Sequence, residues 1–300
     1  MAGPILVTGA GGFVGGYLLA ELGQAAVPSQ TDVTDSAAIA QEVAAVAPAA
    51  IVHLAALSSV AGSWHAGAEV WRVNTIGTVN VLDAAATEQP SARVLVVSTG
   101  EVYGRADVFP TPEDAPMRPI SPYAASKAAA EIACQRARVS NGLDVVVARP
   151  FLHVGPGQEE RFALGSWTRQ IARLEAEGGG VLEAGDLSVE RDLTDVRDVV
   201  RAYGMLLDRS VEPGTYNVAT GRTVRLAEVV DTLVAMADCD VTVTLDESRA
   251  RPADIPKLCG DPRRLAGATG WRPVIPLEQT LADTLQAARE SLVGEGTART

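Results

Sequence analysis

A glycine-rich turn between a strand-like run and a helix-like run is the feature that most constrains the fold of this chain. The β-branched run Ile5-Leu6-Val7 comes before the turn, and an apolar helical stretch reaching Leu22 follows it. The turn reads Thr8-Gly9-Ala10-Gly11-Gly12-Phe13-Val14-Gly15. Gly9 permits the tight turn, Gly12 lets the backbone approach a pyrophosphate, and Gly15 allows close helix–strand packing. Such a motif alone is weak evidence because loops are rich in glycine, but the flanking strand and helix predict the phosphate cradle of a dinucleotide site.

Strand and helix signals alternate along the first half of the chain. Runs rich in Val, Ile and Leu without polar alternation, typical of strands buried on both faces of a parallel sheet, lie at 3–8, 50–54, 93–98 and 143–149. Helical patterns fill the intervals at 12–22, 36–46, 67–86 and 122–140. The segment 25–35 is too short to hold a full crossover helix. The alternation predicts an α/β fold with a Rossmann-type doubly wound parallel sheet over residues 1–150.

The pattern changes after Pro150, where glycine clusters interrupt the chain. Further helices are predicted at 161–177, 194–208, 225–237 and 277–291. We expect residues 192–212 to return to the first domain. Residues 151–191 and 213–291 are expected to form a smaller C-terminal substrate-binding lobe, followed by a tail at 292–300. A ligand cleft is expected at the carboxyl ends of the parallel strands.

Charge and composition argue against several classes of protein. The net charge of −12 disfavours a nucleic-acid surface. No apolar run reaches the ~18 residues of a membrane span, and the start of the chain leaves no room for a signal peptide before the first strand. Three cysteines, odd in number and far apart, indicate reduced thiols and a cytoplasmic location. His53, His65 and His153 have no metal-ligand spacing, so no metal site is expected.

A tyrosine and a lysine four residues apart supply candidate chemistry. They lie in Ser121-Pro122-Tyr123-Ala124-Ala125-Ser126-Lys127, which suits a helix starting near Pro122. Residues at i and i+4 share a helix face, so the ammonium of Lys127 is expected to lie beside the phenol of Tyr123. A neighbouring cation lowers the pKa of a tyrosine from about 10, which gives a proton donor and acceptor near neutral pH. The spacing alone also fits an ordinary helix surface.

Several motifs together carry a resemblance to a known family. Besides the glycine turn and the Tyr-x-x-x-Lys pair, they are Leu54-Ala55-Ala56, Ser98-Thr99-Gly100-Glu101-Val102-Tyr103-Gly104, Arg149-Pro150-Phe151-Leu152-His153-Val154-Gly155-Pro156-Gly157, Arg191-Asp192-Leu193-Thr194-Asp195-Val196-Arg197-Asp198, Tyr216-Asn217-Val218-Ala219-Thr220-Gly221 and Gly270-Trp271-Arg272-Pro273. Over residues 3–288 the chain resembles the extended short-chain dehydrogenase/reductases that act on nucleotide sugars. It looks most like the GDP-4-dehydro-6-deoxy-mannose reductases and the GDP-mannose 4,6-dehydratases.

The resemblance implies roles for the matching residues. Tyr123 would be the acid/base group, Lys127 its partner that also reaches the nicotinamide ribose, and Thr99 a hydrogen-bonding group for the sugar C4 oxygen, with Glu101 as the fourth catalytic residue. The implied cofactor-binding residues are Gly9, Gly11, Gly12, Phe13, Val14, Gly15, Asp32, Val33, Leu54, Ala55 and Ala56, together with Tyr123 and Lys127. The implied substrate-binding residues are Ser58, Thr99, His153, Arg191, Arg225 and Arg251, of which Arg191 and Arg251 match arginines that contact a diphosphate. The alternative interpretation of Asp32 is an ordinary turn aspartate, and that of Arg191 and Arg251 is an arginine on a solvated loop.

Three departures from the family pattern bear on specificity. Leu152 replaces the usual asparagine that donates to the substrate, which leaves the nucleotide sugar open. Gly100 fills the position of the aspartic acid that expels water in dTDP-glucose dehydratases. The residues Pro28-Ser29-Gln30 offer neither the arginine typical of NADP enzymes nor the acid typical of NAD enzymes, so the cofactor is expected to be NADP or NAD.

The favoured hypothesis is NAD(P)H-dependent reduction of the C4 ketone of a nucleotide-linked 4-keto-6-deoxyhexose, with GDP as the expected nucleotide. The second is a 4,6-dehydratase, a lyase that uses Glu101 as the base at C5. The third is a non-catalytic dinucleotide sensor, which would not need the Thr99, Tyr123 and Lys127 constellation.

Apolar residues on more than one side of two helices predict self-association. They are Val70, Val73, Ile76 and Val79 in 67–86, and Ala128, Ile132 and Ala133 in 122–140. Helices that are apolar all round need a partner beyond their own sheet. In the family that the chain resembles, these helices form a four-helix bundle across a two-fold axis, so a homodimer is expected.

Overall fold

The computed structural model describes residues 3–246 and 255–297. Its strands are β1 (Ile5–Thr8), β2 (Ala26–Pro28), β3 (Ala50–His53), β4 (Arg93–Val97), β5 (Asp144–Pro150), β6 (Leu152–Val154), β7 (Gly180–Ala184), β8 (Glu190–Arg191), β9 (Leu193–Asp195), β10 (Thr215–Val218), β11 (Val224–Arg225), β12 (Val241–Leu245) and β13 (Lys257–Leu258).

The α-helices alternate with these strands. They are α1 (Phe13–Leu22), α2 (Ser36–Val46), α3 (Val60–Ser63), α4 (Ala68–Trp71), α5 (Gly77–Glu88), α6 (Pro122–Asn141), α7 (Ala163–Glu177), α8 (Val196–Leu206), α9 (Leu226–Ala235), α10 (Arg263–Thr269) and α11 (Leu277–Thr297). Two 3₁₀ helices, Gly23–Ala25 and Gly100–Tyr103, and one π-helix, Arg72–Ile76, complete the list. No helix in the described ranges is long and apolar enough to cross a membrane.

Six of the described strands form a central sheet in the order β2-β1-β3-β4-β5-β10. Every neighbouring pair is parallel; Leu6 of β1, for example, pairs with Val27 on one side and Ile51 on the other. The strand order reverses beside β1, which creates a crevice at the carboxyl ends where such sheets bind ligands. The predicted Rossmann-type doubly wound parallel sheet is confirmed.

Helices cover both faces of this sheet. On one face α1 and α8 pack together, with Leu18 and Val199 in the same buried cluster as Val7. On the other face α2, α5 and α6 pack in sequence, with Ile39 and Val81 in a second cluster. The strands between them are buried on both sides, which explains why they read as continuous apolar runs.

Two sequence boundaries need correction. Thr215–Val218 forms β10 and pairs with β5 in the central sheet, whereas the sequence pattern assigned 213–291 to the substrate lobe. This strand follows the returning helix α8 and covers the open edge of β5. The predicted tail at 292–300 is shorter than expected because α11 runs to Thr297.

The remaining elements form a smaller unit with its own core. Strand β7 pairs in parallel with β12, and β8 lies between β11 and β13. Helices α7, α9 and α11 enclose a buried cluster that includes Ile171, Leu182 and Leu285. The use of this unit as a substrate-binding lobe, and the domain division as a whole, stay predictions.

The helix predicted over 67–86 is interrupted. The π-helix Arg72–Ile76 separates α4 from α5 and turns Asn74 into the interior. The Asn74 side chain accepts a hydrogen bond from the Leu57 backbone nitrogen at 2.8 Å and donates to Ser126 Oγ at 3.0 Å. These bonds tie the helix to the segment after β3 and to α6, so a tertiary requirement overrides the continuous helical pattern.

Candidate active site

The glycine turn forms a close-packed cradle at the start of α1. Gly9 has a φ of +71°, and a β-carbon there would lie 2.6 Å from the Ala55 backbone nitrogen. A β-carbon on Gly15 would lie 2.3 Å from the Ala10 carbonyl oxygen. Both positions therefore need glycine, and the backbone N–H groups at a helix amino terminus favour an anion. The cradle fits the pyrophosphate of a dinucleotide.

A cleft of about 450 Å³ opens beside the cradle, at the carboxyl ends of β1, β3, β4 and β5. Residues predicted from the sequence line it: Gly9, Gly12, Phe13, Val14, Gly15, Leu54, Ala55, Ala56, Ser58, Thr99, Glu101, Tyr123, Lys127 and His153. The cleft thus brings together the glycine motif, the segment after β3 and the predicted catalytic residues. Its other lining residues include Val97, Ser98, Pro150, Phe151, Leu152, Gln158, Glu159, Arg161, Phe162 and Tyr203.

Tyr123 lies in the first turn of α6, where local sequence fixes its position. The Ser121 side chain caps the helix by accepting from the Ala124 nitrogen at 3.1 Å, and Pro122 occupies the first turn. The phenol is buried. Burial raises the pKa of Tyr123, the charge of Glu101 raises it further, and a hydrogen bond with Thr99 lowers it.

The expected effect of Lys127 on that phenol is wrong in this state of the protein. Lys127 is not among the groups that shift the pKa of Tyr123 within the described residues. Its Nζ instead donates to the Val97 carbonyl oxygen at 2.7 Å. Burial lowers the pKa of Lys127 to about 8, while Cys134 and Glu131 act in the opposite direction. The i, i+4 spacing places the two residues on one helix face, but the ammonium is bound to the end of β4.

Thr99 and Glu101 occupy the turn that follows β4. Thr99 caps the 3₁₀ helix, with its Oγ1 accepting from the Glu101 nitrogen at 3.2 Å. Glu101 and Tyr123 line the same cleft, and the charge of Glu101 raises the pKa of Tyr123. The C4-carbonyl group of a sugar in this cleft would therefore meet a hydroxyl, a phenol and a carboxylate.

Gly100 is explained by packing. A β-carbon at this position would lie 2.9 Å from three atoms of the Phe151 ring. A β-carbon on Gly260 would lie 2.2 Å from the same ring, on Cε2. The ring of Phe151 therefore fills the space that an acidic side chain at position 100 would need.

A network of buried hydrogen bonds connects the segment after β4 with α6, β5 and β10. Arg149 donates from Nη2 to Glu131 Oε2 at 2.6 Å and from Nη1 to Tyr103 Oη at 2.7 Å. Ser98 Oγ donates to Glu131 Oε1 at 2.5 Å, and Tyr103 Oη donates to Asn217 Oδ1 at 2.7 Å. Glu131 stands four residues after Lys127 on α6, a spacing that could have indicated its inward position.

Other predicted cofactor residues lie outside the cleft lining of the described structure. Gly11 is exposed in the turn. Asp32 is also exposed, and its Oδ1 accepts from the nitrogen and hydroxyl of Thr34 at 2.9 and 2.8 Å. These bonds lower the pKa of Asp32 and make it a turn aspartate. Val33 is buried against Gly77. Their contact with a cofactor stays a prediction.

The predicted substrate arginines do not line the cleft in the described residues either. Arg191 is buried, and its Nη1 donates to the carbonyl oxygens of Ile255 and Glu190 at 2.7 and 3.0 Å. Arg225 is exposed on the neighbouring strand β11, where its backbone lies opposite Glu190 of β8. Arg251 lies outside the described residues.

In the described ranges, no three side chains of the types His, Cys, Asp and Glu converge as a metal site would require. His53 is held instead between two threonines, with Nδ1 2.7 Å from Thr8 Oγ1 and Nε2 3.1 Å from Thr78 Oγ1. Burial lowers the pKa of His53 to about 3, so this imidazole is neutral.

Comparison with known proteins identifies the family. The family model for GDP-mannose 4,6 dehydratase matches residues 24–284. The chain belongs to the GDP-mannose 4,6-dehydratase family. Within this family it is similar to GDP-6-deoxy-D-mannose reductase of Pseudomonas aeruginosa, with 35% identity over 287 residues, which is 92% of this chain and 94% of the relative.

Solved structures of related enzymes share the fold of this family member. The structure of RMD from Pseudomonas aeruginosa complexed with NADPH superposes with a TM-score of 0.89 at 33% identity, covering 97% of this chain and 100% of the other. MoeE5 in complex with UDP-glucose and NAD gives a TM-score of 0.86 at 28% identity, with coverage of 97% and 100%. The resemblance drawn from the sequence motifs is thereby confirmed.

Proposed function

We propose that this protein is an NAD(P)H-dependent reductase of the C4 ketone of a nucleotide-linked 4-keto-6-deoxyhexose, with GDP as the nucleotide. The observation that carries the proposal is the grouping of Thr99, Tyr123 and Lys127 in one cleft with the glycine cradle. The similarity to a GDP-6-deoxy-D-mannose reductase supports the choice of substrate. Neighbouring structures that hold NADPH or NAD support either dinucleotide as cofactor.

In the proposed mechanism, Tyr123 donates a proton to the C4 oxygen as that carbon is reduced to an alcohol. The phenol is protonated at neutral pH because its pKa is raised, so Tyr123 is in the form that can donate a proton. The Thr99 hydroxyl holds the C4 oxygen near this phenol, and its hydrogen bond with Tyr123 lowers the pKa of the phenol and so favours the phenolate left behind. The Lys127 ammonium, bound at the end of β4, would reach the nicotinamide ribose. A dinucleotide held by the glycine cradle would supply the hydride.

The reaction is tested directly by offering purified protein a panel of GDP-, dTDP- and UDP-linked sugars. A reductase oxidises one NAD(P)H for each 4-keto-6-deoxy sugar that it reduces, and it leaves a 4-hydroxy sugar unchanged. Turnover of a 4-hydroxy sugar to its 4-keto-6-deoxy product without net use of cofactor would refute the reductase proposal.

The pH dependence of the reaction should report on Lys127. We expect kcat/KM to fall as pH rises through about 8, because the ammonium loses its proton there. Since the pKa of Lys127 is lower in the folded protein than in the unfolded chain, the unfolded state binds more protons above that point, and this group makes folding more favourable as pH rises. Rates of the wild type are measured between about pH 6 and 10. The stability effect of Lys127 is measured as the difference in free energy of unfolding between the wild type and Lys127→Met over the same range, because the raised pKa values of the Cys134 and Cys259 thiols act in the opposite direction. Lys127→Met should remove the descending limb, and a flat wild-type profile to the alkaline end would contradict the assignment.

A dehydratase is the second candidate, because Glu101 lines the cleft near Tyr123 and could act as a base at C5. The packing of Phe151 against Gly100 weighs against a dehydratase of the dTDP-glucose type, since it leaves no room for the acid that such an enzyme has at position 100.

Glu101→Gln distinguishes the two reactions. We expect reduction of a 4-keto sugar to lose less than about tenfold in kcat, because the proton comes from Tyr123. Glu159→Gln, which alters another carboxylate of the cleft, serves as the matched control. Near-complete loss of activity in Glu101→Gln alone would mark the C5 base of a dehydratase.

We propose that the protein is a homodimer whose interface includes α6 and the π-helix. Ile132 and Val139 of α6 are 61% and 81% exposed, and Ile76 at the end of the neighbouring π-helix is 50% exposed. Exposed apolar side chains of this kind indicate association.

A cytoplasmic location is proposed as well, supported by the free thiols of Cys134, Cys239 and Cys259. Cell fractionation would test it.

Ile132→Glu should convert the dimer to a monomer, because a buried unpaired carboxylate at the interface is unfavourable. Light scattering at micromolar concentration measures this. Val274→Glu is a suitable control, since Val274 is 70% exposed in a loop away from α6. A monomeric wild-type protein would contradict the proposed assembly.

A further inference from the structure

Buried polar atoms without partners gather at the cleft. In the described residues, His153 Nδ1, Gln158 Oε1 and Tyr203 Oη are buried and make no hydrogen bond within the protein. All three residues line the cleft. Burying a polar group without a hydrogen bond is unfavourable, so such groups indicate a ligand or an ordered water that completes them.

Tyr203, like Gln158, lies outside every motif of the sequence analysis. It lies on α8, which packs against α1, and its ring shares a buried cluster with Ala10 of the glycine cradle and Leu18. The residue is fully buried, and its ring packs among apolar side chains, so the hydroxyl is the polar group at the end of an apolar side chain. Tyr203 and Tyr123 line the same cleft. Burial and the nearby phenol of Tyr123 both raise the pKa of Tyr203.

We propose that the Tyr203 hydroxyl hydrogen-bonds the nicotinamide carboxamide of the bound dinucleotide. The inference rests on the proposed function, because it takes the cleft as the NAD(P)H site. Tyr123 marks the reactive end of that site, and Tyr203 lines the same cleft as Tyr123, the glycine cradle and Pro150. A nicotinamide carboxamide carries both a donor and an acceptor, so either hydrogen-bonding mode of a hydroxyl can be satisfied.

Tyr203→Phe tests this contact because it removes one oxygen and keeps the ring. Dissociation constants for NADH, NADPH and ADP-ribose are measured by titration, and the melting temperature is measured without ligand. We expect the dissociation constants of the nicotinamide cofactors to rise roughly three- to tenfold, as expected for one neutral hydrogen bond. ADP-ribose, which lacks nicotinamide, should bind as it does to the wild type. The melting temperature without ligand should not fall, because the lost hydroxyl had no protein partner.

Tyr216→Phe is the matched control. The Tyr216 hydroxyl donates to the Glu212 carbonyl oxygen at 2.8 Å, and the residue lies outside the cleft lining. This variant should lose stability and keep the cofactor affinity of the wild type.

Unchanged NADH and NADPH affinity in Tyr203→Phe would overturn the proposal. Equal weakening of NADH and ADP-ribose would also overturn it, since the contact would then belong to a group that ADP-ribose shares with NADH. If no sugar is reduced but Tyr203→Phe selectively weakens the nicotinamide cofactors, the proposed reaction fails and the contact stands.

Discussion

Tyr123→Phe should lower kcat by at least about 10²–10⁴-fold on the correct 4-keto sugar, the range typical of a lost general acid. The phenol is buried in the cleft that Thr99 and Glu101 also line, and it is protonated at neutral pH because its pKa is raised. Phenylalanine keeps the ring and its packing but cannot donate a proton. Steady-state rates with saturating cofactor measure the loss.

Cofactor affinity separates this effect from a damaged site. The glycine cradle holds the dinucleotide, so its dissociation constant should change little in Tyr123→Phe. Tyr103→Phe is a matched control, because Tyr103 is a second buried phenol that bonds Arg149 and Asn217. It should reduce stability far more than kcat. Retention of most activity by Tyr123→Phe would show that the mechanism proposed above is wrong.

Glu131→Gln should reduce the free energy of unfolding by roughly 3–5 kcal/mol, the cost of breaking a buried ion pair from one side. The side chains of Glu131 and Arg149 are each 6% exposed and meet at 2.6 Å. Glutamine keeps the shape but leaves the Arg149 guanidinium buried without its counter-charge. Urea unfolding at fixed protein concentration measures the change.

A surface pair provides the comparison. Arg118 and Asp107 meet at 2.8 Å with side chains 57% and 75% exposed. Asp107→Asn should cost less than about 1 kcal/mol because solvent screens such pairs. Equal effects of Glu131→Gln and Asp107→Asn would contradict the structural role assigned to the buried pair.

The elements that the sequence predicted best are those whose structure depends on the pattern of neighbouring residues in the chain. The strands β1, β3, β4 and β5 are continuous apolar runs because both faces are buried, and the glycine cradle is specified by steric needs at Gly9 and Gly15. The cleft could be assembled from motifs because parallel strands bring their carboxyl ends together.

The failures involve contacts between distant segments. The hydrophobic pattern of 67–86 is that of one helix, and nothing local reveals that Asn74 must reach Leu57 and Ser126. Helical spacing assigned Tyr123 and Lys127 to one face, but the carbonyl oxygen of Val97, which binds the ammonium, belongs to another element. The helical pattern predicts that Tyr203 is a buried residue of α8, but it does not show whether the tyrosine hydroxyl has a hydrogen-bond partner.

The ring of Phe151, packed between Gly100 and Gly260, restricts how this cleft can change its chemistry over evolutionary time. An acid introduced at position 100 meets the ring before it can meet a substrate, so that substitution alone is disfavoured. A smaller residue at position 151 opens the space but leaves a cavity in the core until the acid arrives. Each change is harmful without the other, which is sign epistasis. The order of mutations therefore matters, and a reductase of this design is separated from an aspartate-dependent dehydratase by a valley in fitness.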